Sequence, residues 1–215
     1  MSNIKPILFN TEMVLATLEN RKTQTRRVVS PTPPADARLV MGPDPDNLHG
    51  WDESRELPEL GPNDRRVYYP RYYPGDILYV RETWAEWSDG YIFKADPMPA
   101  YPHSFVDRWR PSIFMPKEAA RIFLRVTDVR VERLQEIDEN GAKAEGIREY
   151  FIGMGESGFA TEPHSSSFWP SAVGAFAALW NSTLKHMDHI RYGWAANPWV
   201  WVYCFERYEK PEDWA

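Results

Sequence analysis

The sequence contains little that would build a cross-linked or membrane-spanning protein. Cys204 is the one cysteine among 215 residues, so no disulfide can form within the chain and a reduced, intracellular protein is expected. No apolar run approaches the roughly 20 residues that a membrane-spanning helix requires. These absences predict a cytoplasmic protein without a membrane partner.

Motifs for nucleotide-driven and metal chemistry are also missing. The sequence has no Gly-rich phosphate loop, no Cys-rich zinc pattern and no Gly-x-Ser-x-Gly elbow. His186, Asp188 and His189 form one metal-like grouping, but no pattern for a further ligand follows it. We therefore expect no metal and no cofactor, and a hydrolase is favoured over an enzyme that consumes nucleotides.

Excess positive charge is absent as well. The formal net charge is −6, which argues against a protein that coats nucleic acid through bulk electrostatics, because such binding needs many phosphate contacts. A local basic pocket is compatible with this balance. Small or single-nucleotide ligands suit such a pocket better than a long polyanion.

The order of the predicted elements favours one α+β domain over residues 1–215. Residues 31–74 hold nine of the 19 prolines and an acidic cluster, so we predict a long irregular insertion there. Strands separated by insertions, with two or three helices and no regular β-α alternation, indicate a small mixed β-barrel with flanking helices. The predicted helices cover 11–20, 138–146 and 171–185, and the predicted strands cover 24–29, 77–84, 91–95, 121–134 and 198–205.

A basic segment at residues 21–27, with the sequence RKTQTRR, follows the first predicted helix. Strand alternation from Thr23 would place Thr23, Thr25 and Arg27 on one face and Arg26 on the other. Lys22, on the preceding turn, could approach either face. The alternative interpretation is a solvated basic edge strand, since charge protects sheet edges from aggregation.

Several short motifs together carry a resemblance to a known family. They are KPILF at 5–9, RKTQTRR at 21–27, PGDILYVRETW at 74–84, PSIFMP at 111–116, AEG at 144–146 and NPWVWV at 197–202. In their order and spacing they resemble ASCH-domain proteins of the phage- and prophage-associated kind. The resemblance implies a PUA-like β-barrel, and proteins of that superfamily handle RNA or modified bases in a cleft beside the barrel.

The resemblance also implies a catalytic set. A small bacterial branch of the family hydrolyses the N4-acyl amide of acetylated cytidine with a Lys, a Thr three residues later and a distant Glu on a helix. These positions fall on Lys22, Thr25 and Glu145. The implied partner is a nucleoside or base, an acylated cytidine, with RNA as a second class of partner.

Amide hydrolysis without a metal needs a nucleophile, a base, a proton donor for the leaving amine and stabilisation of the oxyanion. Thr25 supplies a hydroxyl, either as nucleophile or to position a water. Lys22 would activate it as a base only if its pKa fell by about three units from ~10.4; otherwise Lys22 is the oxyanion donor and Glu145 the activator. We assign Glu145 to deliver the proton to the leaving amino group.

Five further residues are candidates for substrate contact, each with a structural alternative. Thr23 and Arg27 share the predicted face of Thr25. Glu82 follows a strand and would otherwise form an ion pair with Arg26 or Arg27. The two remaining candidates are Trp84, which would stack on a base or lie in the core, and Met115, which would offer backbone groups to a base edge or plug the end of the barrel.

Two other functions stay open from the sequence. A non-catalytic module that binds RNA or a modified base would need the aromatic and basic residues but no Thr and Glu in the same place. A ribonuclease could use the Lys22 pocket on phosphodiesters. Glu145 itself, near a helix end with the sequence AEG, would in many proteins be an exposed surface residue.

Overall fold

Strands and helices follow each other irregularly along the chain. The computed structural model describes residues 4–33, 38–41, 49–52, 68–87, 90–96, 106–153, 155–162, 165, 167–212 and 214. In chain order its strands and α-helices are β1 (Ile4–Leu8), α1 (Thr11–Leu18), β2 (Gln24–Val28), β3 (Arg38–Met41), β4 (His49–Asp52), β5 (Ile77–Arg81), β6 (Trp84–Trp87), β7 (Gly90–Phe93), β8 (Phe123–Arg133), α2 (Glu139–Ala144), β9 (Arg148–Gly153), β10 (Glu156–Ala160), α3 (Ala172–Ser182), α4 (His189–Tyr192) and β11 (Trp199–Tyr208).

A five-stranded sheet forms the framework, in the order β1-β5-β8-β11-β2. β1 runs parallel to β5, and the other neighbours are antiparallel. Three separate hairpins pair β3 with β4, β6 with β7 and β9 with β10. The fold is therefore mixed α+β, as the sequence predicts.

The expected barrel is not closed. Among the described residues β1 and β2 are the two edges of the sheet, and no ladder of backbone hydrogen bonds joins them. One side chain links the two edges instead: Nη2 of Arg27 in β2 donates to the carbonyl oxygen of Leu8 in β1, at 2.9 Å. Closure of a barrel requires continuous strand pairing, so the sheet is open where the sequence analysis expects a barrel.

β11 lies at the centre of the packing because both of its faces are apolar. It pairs with β8 on one side and β2 on the other. Trp201 and Tyr203 face a cluster that also contains Ile7, Leu78 and aliphatic residues of β8. The alternate residues of β11 face a second cluster built with α2 and α3. The prediction of a central strand over 198–205 is confirmed.

Capping side chains set the starts of the helices. Asp138 and Ser171, the first residues of two predicted helices, accept backbone N–H groups in the first turns of α2 and α3, as capping side chains do. α1 begins after Asn10, whose side chain caps it, so Thr11 is the first helical residue. Asn20 has a φ of 57°, the left-handed conformation that ends this segment and turns the chain towards β2.

Two expectations about the middle of the chain need adjustment. The strand predicted over 77–84 divides into β5 and β6, and β6 pairs with β7 instead of extending the large sheet. Within the predicted insertion at 31–74, β3 and β4 form a hairpin. Residues 34–37, 42–48 and 53–67 lie outside the described part of the chain. None of the helices in the described part has the length and apolar character that crossing a membrane requires.

Gly146 allows α1 and the end of α2 to approach each other. It has a φ of +109°, and a Cβ placed there would lie 2.8 Å from the Cβ of Ala16 in α1. We expect Gly146→Ala to lower the free energy of unfolding by about 2–5 kcal/mol, because it adds backbone strain and an overpacked contact. Urea unfolding followed by circular dichroism measures the loss.

Gly153 is the matched control for this substitution. Its φ is +104°, but a Cβ there would meet nothing within 4 Å. Gly153→Ala therefore carries the backbone strain alone and should cost about 1–3 kcal/mol. Equal losses in the two variants would show that the approach of Ala16 does not constrain this junction.

Candidate active site

The Lys22 side chain lies inside the protein, only 2% exposed. The turn after α1 fixes the backbone at Lys22, because the N–H groups of Arg21 and Lys22 both donate to the carbonyl of Ala16. Nζ donates to the carbonyl oxygen of Gln24 at 2.8 Å, and to the carbonyl and Oε2 of Glu145 at 3.0 and 2.7 Å. These three acceptors match the three N–H groups of an ammonium.

Glu145 connects Lys22 to a second cation. It follows α2 as its C-cap residue and is 4% exposed, so it is not the surface residue that the sequence alternative describes. Oε2 contacts Lys22, and Oε1 accepts from Nη1 of Arg26 at 3.0 Å. Arg26 also contacts Oε1 of Glu132 at 2.6 Å. Two buried cations and two carboxylates therefore alternate in one chain of contacts, which compensates each buried charge.

Opposing effects set the protonation of Lys22. Burial lowers its pKa from the ordinary 10.5, the Glu145 carboxylate works in the opposite direction, and the nearby Arg27 and Arg26 cations lower it further. The net direction is downwards. A proton on Lys22 is thus held less tightly than on an ordinary lysine, and Oε2 of Glu145 lies 2.7 Å from Nζ.

Thr25 lies on the face of β2 that it shares with Tyr203 of β11, which we call the inner face; Arg26 lies on the opposite face, the outer face. Thr25 is opposite Tyr203 of β11 in the strand register and is 1% exposed. Its Oγ1 has no hydrogen-bond partner among the described residues. A buried hydroxyl without a partner costs folding free energy, about 1–3 kcal/mol, and such groups occur where a ligand or water completes the contact.

Arg27 lies on the same face of β2 as Thr25 and lines a cavity beside that strand. Cross-strand pairs share a face, and the partner of Arg27 is Trp201, two residues from Tyr203. Arg27 lines a cavity of about 480 Å³ together with Tyr72, and a neighbouring one of about 310 Å³. The first volume is within the range of small-molecule sites, about 300–1,000 Å³.

Thr23 is placed differently from the other residues of the basic segment. It is exposed, and it precedes the first residue of β2. Its backbone is anchored on both sides, since its N–H donates to the carbonyl of Ala144 and its carbonyl accepts from the N–H of Phe205. Thr23 therefore joins β2, β11 and α2 through its backbone hydrogen bonds, and its side chain faces solvent.

Glu82 has a partner that the sequence analysis does not consider. Oε1 and Oε2 accept from Nε and Nη2 of Arg121 at 2.9 and 3.0 Å, a bidentate pair. The expected alternatives, an ion pair with Arg26 or Arg27, are wrong. Burial raises the pKa of Glu82, and Arg121 opposes this rise.

Trp84 and Met115 lie in a third apolar cluster, separate from the cluster that includes Tyr203. Trp84 is buried, with the Arg110 guanidinium carbon 5.0 Å from its ring centroid. Met115 is fully buried, and its carbonyl accepts from Nε of Arg81 at 2.9 Å. Of the five substrate-contact candidates, Arg27 alone lines the two cavities beside β2.

Sequence reasoning missed four residues of this region. Alternation along β2 places Arg26 on the outer face but gives no indication that it holds Glu145. Arg71 and Tyr72, which line the larger of the two cavities, lie in a Pro-rich aromatic stretch without periodicity. Of these residues only Arg81 could have been picked out from the sequence, because it is the one charged residue of the otherwise apolar strand β5.

The described residues contain no group of three or more His, Cys, Asp or Glu side chains that could hold a metal ion. The rings of His186 and His189 lie 6.4 Å apart, in the segment after α3.

Comparison with protein-family models, with curated proteins and with solved structures finds no match. What the site can do must therefore be argued from its own chemistry: a buried amine in contact with a buried carboxylate, and a buried hydroxyl without a described partner three residues further along the chain.

The lowered pKa of Lys22 predicts how stability changes with pH. Below its pKa in the folded state, Lys22 is protonated in both the folded and the unfolded protein, so it does not make the free energy of unfolding depend on pH. Between that value and 10.5, the unfolded state binds more protons, so the free energy of unfolding rises with pH. We expect the stability of the wild type relative to Lys22→Met to increase as the pH approaches 10.5.

Urea unfolding of both proteins at several alkaline pH values measures this difference, and tyrosine ionisation affects both alike. Lys210→Met, at an exposed position, is the control and should show no such trend relative to the wild type. A relative stability of the wild type that falls towards pH 10.5 would mean that Glu145, and not burial, dominates the pKa of Lys22.

Proposed function

We propose that this protein hydrolyses the N4-acyl amide of an acylated cytidine without a metal, using Lys22, Thr25 and Glu145. The observation that carries the proposal is the buried Lys22–Glu145 contact of 2.7 Å at the start of the strand that bears the unpartnered Thr25 hydroxyl. The sequence resemblance supports the same three residues. It also supports assigning the open sheet to a PUA-like ASCH domain.

The reaction adds one water to the amide. A C–O bond forms at the acyl carbon, the bond from that carbon to N4 breaks, and N4 gains the proton that makes it the free amino group. The products are the cytidine and a carboxylic acid. Thr25 either attacks the acyl carbon itself, with water then hydrolysing the ester, or positions the attacking water.

The Lys22–Glu145 pair supplies the proton transfers. Passage of one proton from Nζ to Oε2 gives a neutral amine and a neutral carboxylic acid. The amine takes the proton of the attacking hydroxyl, and the acid donates its proton to the departing N4. Both groups thereby return to their starting charges, so the cycle needs no further acid or base.

A second candidate function is a non-catalytic module that binds a modified base. The observation that favours it is that all three N–H groups of Lys22 already have protein acceptors. A purely structural lysine would show the same arrangement. Under this reading the Thr25 hydroxyl contacts the ligand and no bond is broken.

Substitutions at Thr25 separate the two functions. Thr25→Val keeps the shape and removes a buried hydroxyl without a partner, so we expect stability to be unchanged or slightly higher while turnover of N4-acetylcytidine falls by at least about 10³-fold. Thr25→Ser keeps the hydroxyl and should retain measurable turnover. Release of cytidine, followed by chromatography, measures the rate.

Lys22→Arg tests the proton transfers, because a guanidinium keeps the charge but does not lose its proton near neutral pH. We expect turnover to be lost and the folded state to survive. Activity in this variant would exclude Lys22 as the base. Wild-type protein that binds N4-acetylcytidine but releases no cytidine would favour the binding module.

A further inference from the structure

Three arginines without carboxylate partners surround the cavity of about 480 Å³. They are Arg27 of β2, Arg71 of the segment before β5, and Arg81 at the end of β5. Among the described residues no acidic side chain lines this cavity, and none of the three arginines forms an ion pair. Within the described part of the chain, three positively charged side chains therefore line one cavity without a carboxylate in contact with any of them.

The three guanidinium groups are held in place but keep free donors. Nη2 of Arg27 donates to the carbonyl of Leu8, and Arg81 is the register partner of Leu8 in the β1–β5 pair. Nε of Arg81 donates to the carbonyl oxygen of Met115. The remaining N–H groups of both side chains have no partner among the described residues, although each guanidinium carries five donors.

Arg71 is held by an aromatic contact. Its guanidinium carbon lies 5.6 Å from the centroid of the Tyr72 ring, a cation–π geometry. The Tyr72 hydroxyl in turn donates to the carbonyl of Pro6 in β1, at 2.7 Å. All three arginines therefore converge around the last residues of β1, where like charges oppose each other unless an anion lies between them.

Several other arginines of the described residues do form ion pairs. Arg26, Arg121 and Arg125 each contact a carboxylate. Unpaired arginines that converge on one cavity are the arrangement by which proteins bind phosphate, because the guanidinium fork matches phosphate oxygens. A phosphate monoester carries close to two negative charges at pH 7, which suits three cations better than a single carboxylate does.

The cavity adjoins the candidate active site. Arg27 follows Thr25 by two residues on the same face of β2, so their Cα atoms are about 6.8 Å apart. Across the sheet, the ring of Tyr203, which is opposite Thr25, lies 5.0 Å from the ring of Tyr72 in the cavity wall. A ligand whose charged group lies among the arginines would extend towards Thr25.

We propose that Arg27, Arg71 and Arg81 bind the phosphate of a cytidine monophosphate, so that the substrate is an N4-acylated nucleotide and not the free nucleoside. This inference rests on the proposed amidohydrolase function. A mononucleotide is favoured over RNA because the three arginines line a single cavity on a chain with a net charge of −6, whereas RNA binding draws on many phosphate contacts.

Binding measurements test the site independently of catalysis. We expect isothermal titration calorimetry to detect cytidine monophosphate, with inorganic phosphate as a competitor and cytidine bound at least about tenfold more weakly. Arg71→Gln removes a guanidinium that makes no described hydrogen bond and should weaken nucleotide binding about tenfold or more. Arg207→Gln, an exposed arginine elsewhere, makes the same charge change and should have no effect.

Turnover measurements then test the substrate class. The wild type should show a higher kcat/KM for N4-acetylcytidine monophosphate than for N4-acetylcytidine, and Arg71→Gln should reduce that ratio about tenfold. Arg71-dependent nucleotide binding without any turnover would support the phosphate site and overturn the amidohydrolase function. Turnover with no preference for the nucleotide would keep the function and overturn the phosphate site.

Two further outcomes overturn the inference. Competition by acetate as effective as by phosphate would identify a carboxylate site. Tighter binding of an oligonucleotide that carries N4-acetylcytidine, with the loss in Arg71→Gln growing with its length, would identify RNA as the ligand. Free N4-acetylcytidine, the mononucleotide and the oligonucleotide should therefore be compared at one ionic strength.

Discussion

The buried contact between Lys22 and Glu145 determines how the helices sit against the sheet. Lys22 precedes β2, and Glu145 follows α2, 123 residues later in the chain. The same junction is reinforced when Thr23 donates its N–H to Ala144 and Arg21 donates to the carbonyl of Gly146. Because these contacts join two distant segments, the start of β2 cannot shift without displacing the end of α2.

The composition of this junction is difficult to explain by stability alone. A buried ion pair contributes little compared with apolar residues of similar volume, while loss of one partner costs about 3–5 kcal/mol. The Thr25 hydroxyl nearby is buried and unpartnered in the described structure. Positions where a fold departs in this way from what stabilises it are where binding or chemistry is most often located.

Local chemistry in the sequence predicted local structure well. The helices predicted from 138 and 171 begin at the caps Asp138 and Ser171, the segment predicted to end at 20 ends at the left-handed Asn20, and the strand predicted over 121–134 is one long strand, β8. The division of the segment at 77–84 was missed, because alternation continues through Glu82, although β6 pairs with β7 and not with the sheet. The prediction of a closed barrel was wrong, because whether the two edge strands pair depends on how the whole sheet is assembled and not on the sequence of either strand.

One contact of the candidate site was predictable from the sequence, and most of the others were not. The resemblance brought Lys22 and Glu145 together, and the structure joins them directly. The partners of Arg26, by contrast, lie 106 and 119 residues away, and Glu82 pairs with Arg121. No periodicity in a single sequence specifies contacts of that range, since they depend on how distant strands and helices pack.

The two faces of β2 differ in charge, and the difference links the proposed anion site to the catalytic pair. On the outer face, Glu132 and Glu145 compensate Arg26. On the inner face Arg27 has no such partner, and its charge contributes to the lowered pKa of Lys22. An anion bound to Arg27 would offset that charge and raise the pKa of Lys22. A phosphate bound to Arg27 would therefore favour the protonated form of Lys22 and oppose the transfer of its proton to Glu145, so ligand binding and proton transfer at this site are coupled.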